Sequence, residues 1–263
     1  MPSHRMTGLS AEQFGVLVEL VADALDRLWR APVGRPRELD LREAVFVTLV
    51  YARHNVTEEL LGAFMGVDQS QISRVITELT PVVEKVTAPY VPTGQDAVEA
   101  LTGQVALVDG SLAPCWSWAD RRDLWAGKHA TTGHNFLVIA DLLGRVRYVS
   151  DPHPGKDHDM TLVKEEMVAR ILAAAGDVIA DKGFQGSGYI TPFKKPAGGA
   201  LTWLQHDYNN KLSGLRAAIE RAVAHIKNWR ILHTDYRRPV QTWETTFRAA
   251  IGLFFFSLTK GFA

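Results

Sequence analysis

Two short apolar runs, each ending in an aspartate with glycine directly after it or close by, constrain this chain more than any other feature. Val105-Ala106-Leu107-Val108 runs into Asp109-Gly110, and Val178-Ile179-Ala180 runs into Asp181-Lys182-Gly183. Runs of this length, stopped by turn residues, read as buried strands. Carboxylates at the ends of neighbouring central strands lie close together and repel unless a cation sits between them. Taken singly, each aspartate reads more simply as a turn residue. Around them, His134 to Asp141 and Arg145 to Ser150 read as strands joined at Leu143-Gly144. Thr161 to Ala175 reads as a helix, Ile190 to Lys194 as one more short strand, and Tyr208 to Trp229 as a long helix. This alternation describes an α/β layered domain.

The long helix carries its own signal. Arg216, Glu220 and Lys227 stand at i, i+4 and i+11, which places them within about 40° of one another. Leu212, Leu215, Ile219, Val223 and Ile226 form the adjoining apolar stripe. The helix is therefore expected to pack on the sheet with Glu220 at the seam, facing the strand ends. An ordinary Arg-Glu pair beside a solvated lysine is the plainer reading of the same spacing.

The first hundred residues read as helices. Phe14 to Trp29 and Leu41 to Tyr51 carry apolar residues at helical spacing. Thr57 to Val75 suits a helix-turn-helix (about 57–79): Gly62 permits close helix approach, Gly66 suits the turn, and Asp68 is placed to cap the second helix. Val67, Ile72 and Val75 would be buried, leaving Gln69, Ser70, Gln71, Ser73 and Arg74 outward as DNA-contacting candidates. A plain helical hairpin fits this spacing equally well. Pro81, Pro89 and Pro92-Thr93-Gly94 mark a boundary. The expected division is a helical domain over 1–92 and an α/β domain with a C-terminal helix over 93–263.

Composition excludes several classes. The single cysteine, Cys115, rules out an internal disulfide and a thiolate zinc site. No segment offers the roughly 20 apolar residues of a membrane-spanning helix, and the opening residues do not resemble a signal peptide, so a cytoplasmic address without membrane association is expected. The formal net charge of +0 argues against a polyanion partner, but distribution matters more. From Lys182 to Arg238 there are ten Lys and Arg against three Asp and Glu.

Several motifs in order now resemble insertion-sequence transposases of the Asp-Asp-Glu (DDE) superfamily, in the IS-five-like branch. Val108-Asp109-Gly110-Ser111 resembles the first-aspartate motif and Ala180-Asp181-Lys182-Gly183-Phe184-Gln185-Gly186 the second, with Phe184 where tyrosine is usual. Gly127-Lys128-His129 through Gly133-His134-Asn135 resembles a strand entry. Pro154-Gly155 with His158-Asp159 resembles the Pro-Gly-x-x-His-Asp segment with one extra residue. Arg216, Glu220 and Lys227 match the signature around the family's catalytic glutamate, although Ser213 stands where tyrosine often does. The match spans about Val105 to Pro239.

This resemblance implies a ribonuclease-H-like catalytic domain, a mixed sheet flanked by helices, preceded by a small all-helical helix-turn-helix domain. It implies two Mg²⁺ or Mn²⁺ ions held by Asp109, Asp181 and Glu220, with Asp109 shared. It also implies cleavage and joining of double-stranded DNA at terminal inverted repeats and target, by a homodimer on DNA. Lys128, Lys182, Arg216 and Lys227 become candidates for phosphate contacts, with ordinary surface cations as the alternative. Asp159 is expected to cap a helix. Trp116, Trp118 and Trp125 are expected to be buried, with stacking on unpaired bases at a transposon end as the alternative. Trp229 is expected in the core, Cys115 to be inert, and the helix after Pro239, with Phe247, Ile251, Phe254, Phe255 and Leu258, to be core or an interface. Rival readings are a disabled transposase that only binds DNA, a helix-turn-helix repressor, and a non-transposing two-metal nuclease.

Overall fold

A computed structural model describes residues 3–25, 29, 37–116 and 120–259. The chain forms two compact units, Met1–Val91 with Lys227–Ala263, and Pro92–Ile226.

The first unit begins with helices α1 (His4–Thr7), α2 (Ala11–Ala24), α3 (Leu41–His54), α4 (Glu58–Met65) and α5 (Gln69–Thr87). Capping boxes start two of them. Ser10 and Gln13 exchange side-chain and backbone bonds at α2, and Asp40 and Glu43 do so at α3, contributing about 1 kcal/mol each. The helix expected from Phe14 onward ends at Ala24, and Leu28 lies outside the described residues.

Helices α4 and α5 form the expected helix-turn-helix. Gly66 adopts φ 70° at the turn, and a side chain at Gly62 would meet the Val67 carbonyl at 2.6 Å. Ile72, Val75, Ile76, Leu79 and Val83 bury α5, whereas Val67 is only half-buried. Asp68 precedes α5 without making a side-chain cap bond. Pro81 was expected at a boundary, but α5 runs through it to Thr87. Both Pro81 and Thr77, whose carbonyl loses its helical donor, lie on the exposed face where water can replace the bond.

The second unit opens with α6 (Gly94–Leu101), capped reciprocally by Thr93 and Asp96. Its sheet contains β1 (Val105–Pro114), β2 (Trp125–Ala126), β3 (Thr131–Asp141), β4 (Val146–Val149), β5 (His153–Pro154) and β6 (Asp177–Ile179). The order is β2-β3-β1-β6, with β4 and β5 also paired to β3. β1 is antiparallel to β3 and parallel to β6, so this is the mixed sheet expected. The β3–β4 connection turns at Gly144, φ 77°, with Asp141 accepting bonds from the Leu143 and Arg145 amides.

Three further helices belong to this unit: α7 (Asp159–Leu162), α8 (Glu166–Ala174) and α9 (Trp203–Ile226). The single helix expected over Thr161–Ala175 is thus two. Ile190 makes only an isolated bridge to Ile179 where a strand was expected. Ala106 and Val108 of β1, Leu137 and Ile139 of β3, and Val178 of β6 form one core with α6, α7 and α8. By strand alternation Leu107, Asp109 and Ile179 face the other way, and α9 packs on β1 and β3. Its buried stripe is Leu212, Ala218, Ile219, Ala222 and Ile226. Leu215, expected in that stripe, is 47% exposed.

After α9 the chain returns to the first unit and ends in α10 (Trp243–Leu258). The C-terminal helix, expected with the α/β domain, packs instead along α5. Phe247, Ile251, Phe254 and Phe255 are buried there by their own chain, while Leu258 is exposed. A side chain at Gly252 would strike Thr87 Oγ1 at 2.1 Å and its Cβ at 2.8 Å, so glycine sets the helix spacing. Gly252→Ala should lower stability by about 1–3 kcal/mol, read as a drop in Tm; an unchanged Tm would contradict this packing.

Candidate active site

The parallel ladder between β1 and β6 pairs Val105 with Asp177, Ala106 with Val178 and Leu107 with Ile179, and stops there. The same register extended by two residues sets Asp109 beside Asp181, on the same face. β1 itself does not end at Asp109, contrary to the expectation. It continues against β3 as far as Pro114. The site opens beside Asp109 because β6 ends first, leaving a notch in the sheet with one carboxylate on each side.

Each aspartate is held locally. Asp181 precedes a turn of 3₁₀ helix, Lys182–Phe184, and accepts a bond from the Gly183 amide at 2.6 Å. Asp109 faces α9, where Arg216 lies 3.8 Å from its carboxylate and 3.5 Å from that of Glu220. The guanidinium thus stands between two of the three expected ligands. Its Nε is buried and has no hydrogen-bond partner among the described residues. Glu220 is the most accessible of the three, with its side chain 52% exposed.

A fourth carboxylate belongs to this cluster. Asp159 was expected to cap a helix, but His158 occupies the position before α7 and Asp159 makes no cap bond there. Its side chain instead reaches the sheet, bonded to the Lys128 ammonium at 2.8 Å. A side chain at Gly110 would meet Asp159 Oδ1 at 2.3 Å, so this approach depends on glycine following Asp109. The loop that delivers Asp159 is pinned from below by buried Asn135, which donates to the Gly155 and Asp157 carbonyls at 3.1 and 2.7 Å. The sequence signal that could have revealed this was the pairing of Gly110 with the His158-Asp159 motif.

Electrostatics reflect the crowding. The Asp109 carboxyl is pushed up to about 6, chiefly by burial and further by Asp181 and Asp159, with Arg216 and Lys128 pulling the other way. Against the opposing effect of burial, Asp159, Asp181 and Asp109 together hold the Lys128 ammonium above its ordinary value. Lys128 and Arg216 therefore supply positive charge to a cluster that would otherwise repel itself. The donors are hard carboxylate oxygens suited to a divalent cation, and they outnumber Lys128 and Arg216, the cations paired with them. No three Asp, Glu, His or Cys side chains converge closely enough to hold a metal among the described residues, with Arg216 lying between Asp109 and Glu220.

The other expected contacts fall as follows. Lys182 is exposed beside Asp181. Lys227 follows α9 and belongs to the first unit. On α5, Gln69, Ser70 and Arg74 are exposed and Gln71 and Ser73 half-buried. Gln69 donates to Glu58, which also pairs with Arg238. Trp229 is buried as expected, but Trp116 and Trp125 are 53% and 52% exposed. At the two-residue strand β2, Ala126 turns inward and leaves Trp125 outside. Trp118 lies outside the described residues. Cys115 is buried, and among the described residues no helix is long and apolar enough to cross a membrane.

The family described as DDE superfamily endonuclease matches residues 108–254, and the helix-turn-helix of DDE superfamily endonuclease matches residues 37–89. The chain is 30% identical over 233 residues to a putative transposase for insertion sequence element IS112 from Streptomyces albus G, covering 86% of this chain and 83% of that protein. It is 27% identical over 242 residues to a probable transposase for insertion sequence element IS702 from Microchaete diplosiphon, covering 89% and 86%.

The raised Asp109 value has a measurable consequence. A carboxyl that binds its proton more tightly folded than unfolded destabilises the fold once ionised. The metal-free protein should therefore lose stability as pH rises from 3.8 through about 6. Asp109→Asn should raise Tm at about pH 8, by the equivalent of up to about 3 kcal/mol, and give no gain near pH 4. An equal or lower Tm at about pH 8 would contradict this electrostatic account.

Proposed function

The chain belongs to the DDE superfamily of endonucleases, and from that membership we propose that it is a DNA transposase. It cleaves phosphodiester bonds at the ends of its element and joins them to target DNA. The observation that carries this reading is the β1–β6 register, which, continued two residues past Leu107 and Ile179, would set Asp109 beside Asp181, with Arg216 near both Asp109 and Glu220.

Asp109, Asp181 and Glu220 would hold two divalent ions, Mg²⁺ or Mn²⁺. Such ions, when bound, polarise the phosphate and lower the pKa of attacking water or a DNA 3′-hydroxyl. The chain's own residues do the positioning. Asp109, half-buried, would be a ligand to both ions, and Asp181 and Glu220 would each serve one of them. Arg216 pairs with Asp109 and Glu220 and Lys128 with Asp159, and both, with the exposed Lys182, would contact phosphate. Asp159 is a positioning residue that holds Lys128 against the cluster. Gln69, Ser70, Gln71, Ser73 and Arg74 of α5 would meet the major groove of the terminal repeats. Two ends must be held together for joining, so the working form is a homodimer on DNA in the bacterial cytoplasm.

The test is Mg²⁺-dependent cleavage of a duplex carrying the element's flanking repeats. Wild type should cut at the element end, and Glu220→Gln should bind DNA normally without cutting. Tight binding by wild type with no cleavage in Mg²⁺ or Mn²⁺ would instead favour a chain that only binds DNA.

A separate variant probes Asp159. Asp159→Asn should slow cleavage by about tenfold or more, as loss of an outer-sphere partner commonly does, while duplex affinity stays within about twofold. Cleavage at the wild-type rate would remove Asp159 from the machinery.

A further inference from the structure

The helical unit carries a surface pocket of about 500 Å³ whose lining is unusual in charge. Arg5 from α1, Arg53 and His54 from the end of α3, and Lys227, Arg230 and His233 from the segment after α9 all face it. No carboxylate lines it among the described residues.

This is a built site rather than a chance gathering of mobile side chains. The Arg53 guanidinium lies over the Trp229 ring at 5.3 Å, and Trp229 is 1% exposed. Gly8 admits both groups, since a side chain there would come within 3.2 Å of Arg53 Cδ and of the Trp229 ring. His54 Nε2 bonds the carbonyls of Arg5 and Met6 at 3.1 and 3.0 Å, tying α1 to the end of α3. Ile231 and Leu232 are fully buried between Arg230 and His233, so the backbone bearing both groups is anchored.

Arg5, Arg53 and Arg230 share this lining with no carboxylate among its described residues. Burial, then Lys227 and Arg230, hold the His233 imidazole below its ordinary value. Cations fixed together without an acid retain their repulsion, and an anion entering among them relieves it. Guanidinium groups favour phosphate by planar, forked donation. The volume exceeds that of a lone phosphate and suits a stretch of sugar-phosphate backbone. Trp229 is covered and offers no face for base stacking, so the pocket suits contact with the backbone rather than with bases.

We propose that this pocket is a phosphate-binding site for duplex DNA backbone, separate in its residues from the helix-turn-helix and from the carboxylate cluster. The assignment to DNA rests on the transposase reading; the affinity for phosphate rests on the pocket alone. Duplex binding is measured by fluorescence anisotropy in EDTA between about 50 and 200 mM NaCl, so cleavage plays no part. The double variant Arg5→Gln, Arg230→Gln alters two exposed side chains, and Arg170→Gln in the other unit serves as a charge control. Circular dichroism checks the fold of each.

The double variant should weaken duplex binding about fivefold or more and reduce the slope of log affinity against log salt by about 1, whatever the duplex sequence. Arg170→Gln should match wild type. Double-variant affinity and slope equal to those of wild type would overturn the proposal. If wild type binds no duplex, the DNA assignment falls together with the transposase reading. Thermal stabilisation by inorganic tripolyphosphate then decides the pocket. A rise in Tm for wild type but not for the double variant sustains a phosphate site, and no difference between them overturns it.

Discussion

The pairing of β1 with β6 governs the architecture of the candidate site. It is parallel, it is short, and it stops at Leu107 and Ile179 while β1 continues against β3. Where β6 leaves, the sheet has a notch, and the next residue after each strand's Leu107 or Ile179 on that same face is an aspartate. Two carboxylates fixed in that way repel, and burial first, with Asp181 and Asp159 adding to it, holds the Asp109 carboxyl above its ordinary range. The surroundings answer with Arg216 from one face and Lys128, held by Asp159, from the other. Stability is given up at this point to keep charge where a divalent cation would be received, a common compromise at functional sites.

That compromise explains details that otherwise look incidental. Gly110 is needed so that Asp159 can approach the strand, since even a methyl group would collide with its carboxylate. Asn135 is buried so that its amide can hold the loop leading to Asp159. Arg216 and Glu220 share one face of α9, and the arginine reaches back to Asp109. Motifs far apart in the chain thus meet around the notch, where Lys128 and Arg216 offset part of the carboxylates' charge.

Much of this was legible in the residues. The apolar runs before Asp109 and Asp181 marked their strands, Leu143-Gly144 marked the turn, and Gly62 and Gly66 marked the helix-turn-helix. Local pattern failed where the deciding contact was distant in sequence. Asp159 follows a proline-rich loop and looks like a cap, but the deciding partners are Gly110 and Lys128. Pro81 looks like a break, but tertiary packing of the apolar face carries α5 through it. The aromatic run of α10 read as core or interface, and its place against α5 depends on Gly252 meeting Thr87. Trp125 was expected inside because tryptophan usually is, but a two-residue edge strand buries only one of its two faces.

The central claim is that Asp109, Asp181 and Glu220 form one divalent-cation site despite the arginine now lying between two of them. Mn²⁺ titration of the full-length protein, followed by electron paramagnetic resonance of the free ion, tests it most directly. The account predicts saturable Mn²⁺ binding by wild type that is lost in Asp109→Asn and Asp181→Asn and weakened in Glu220→Gln. Binding that is absent in wild type, or unchanged by these substitutions, would contradict it.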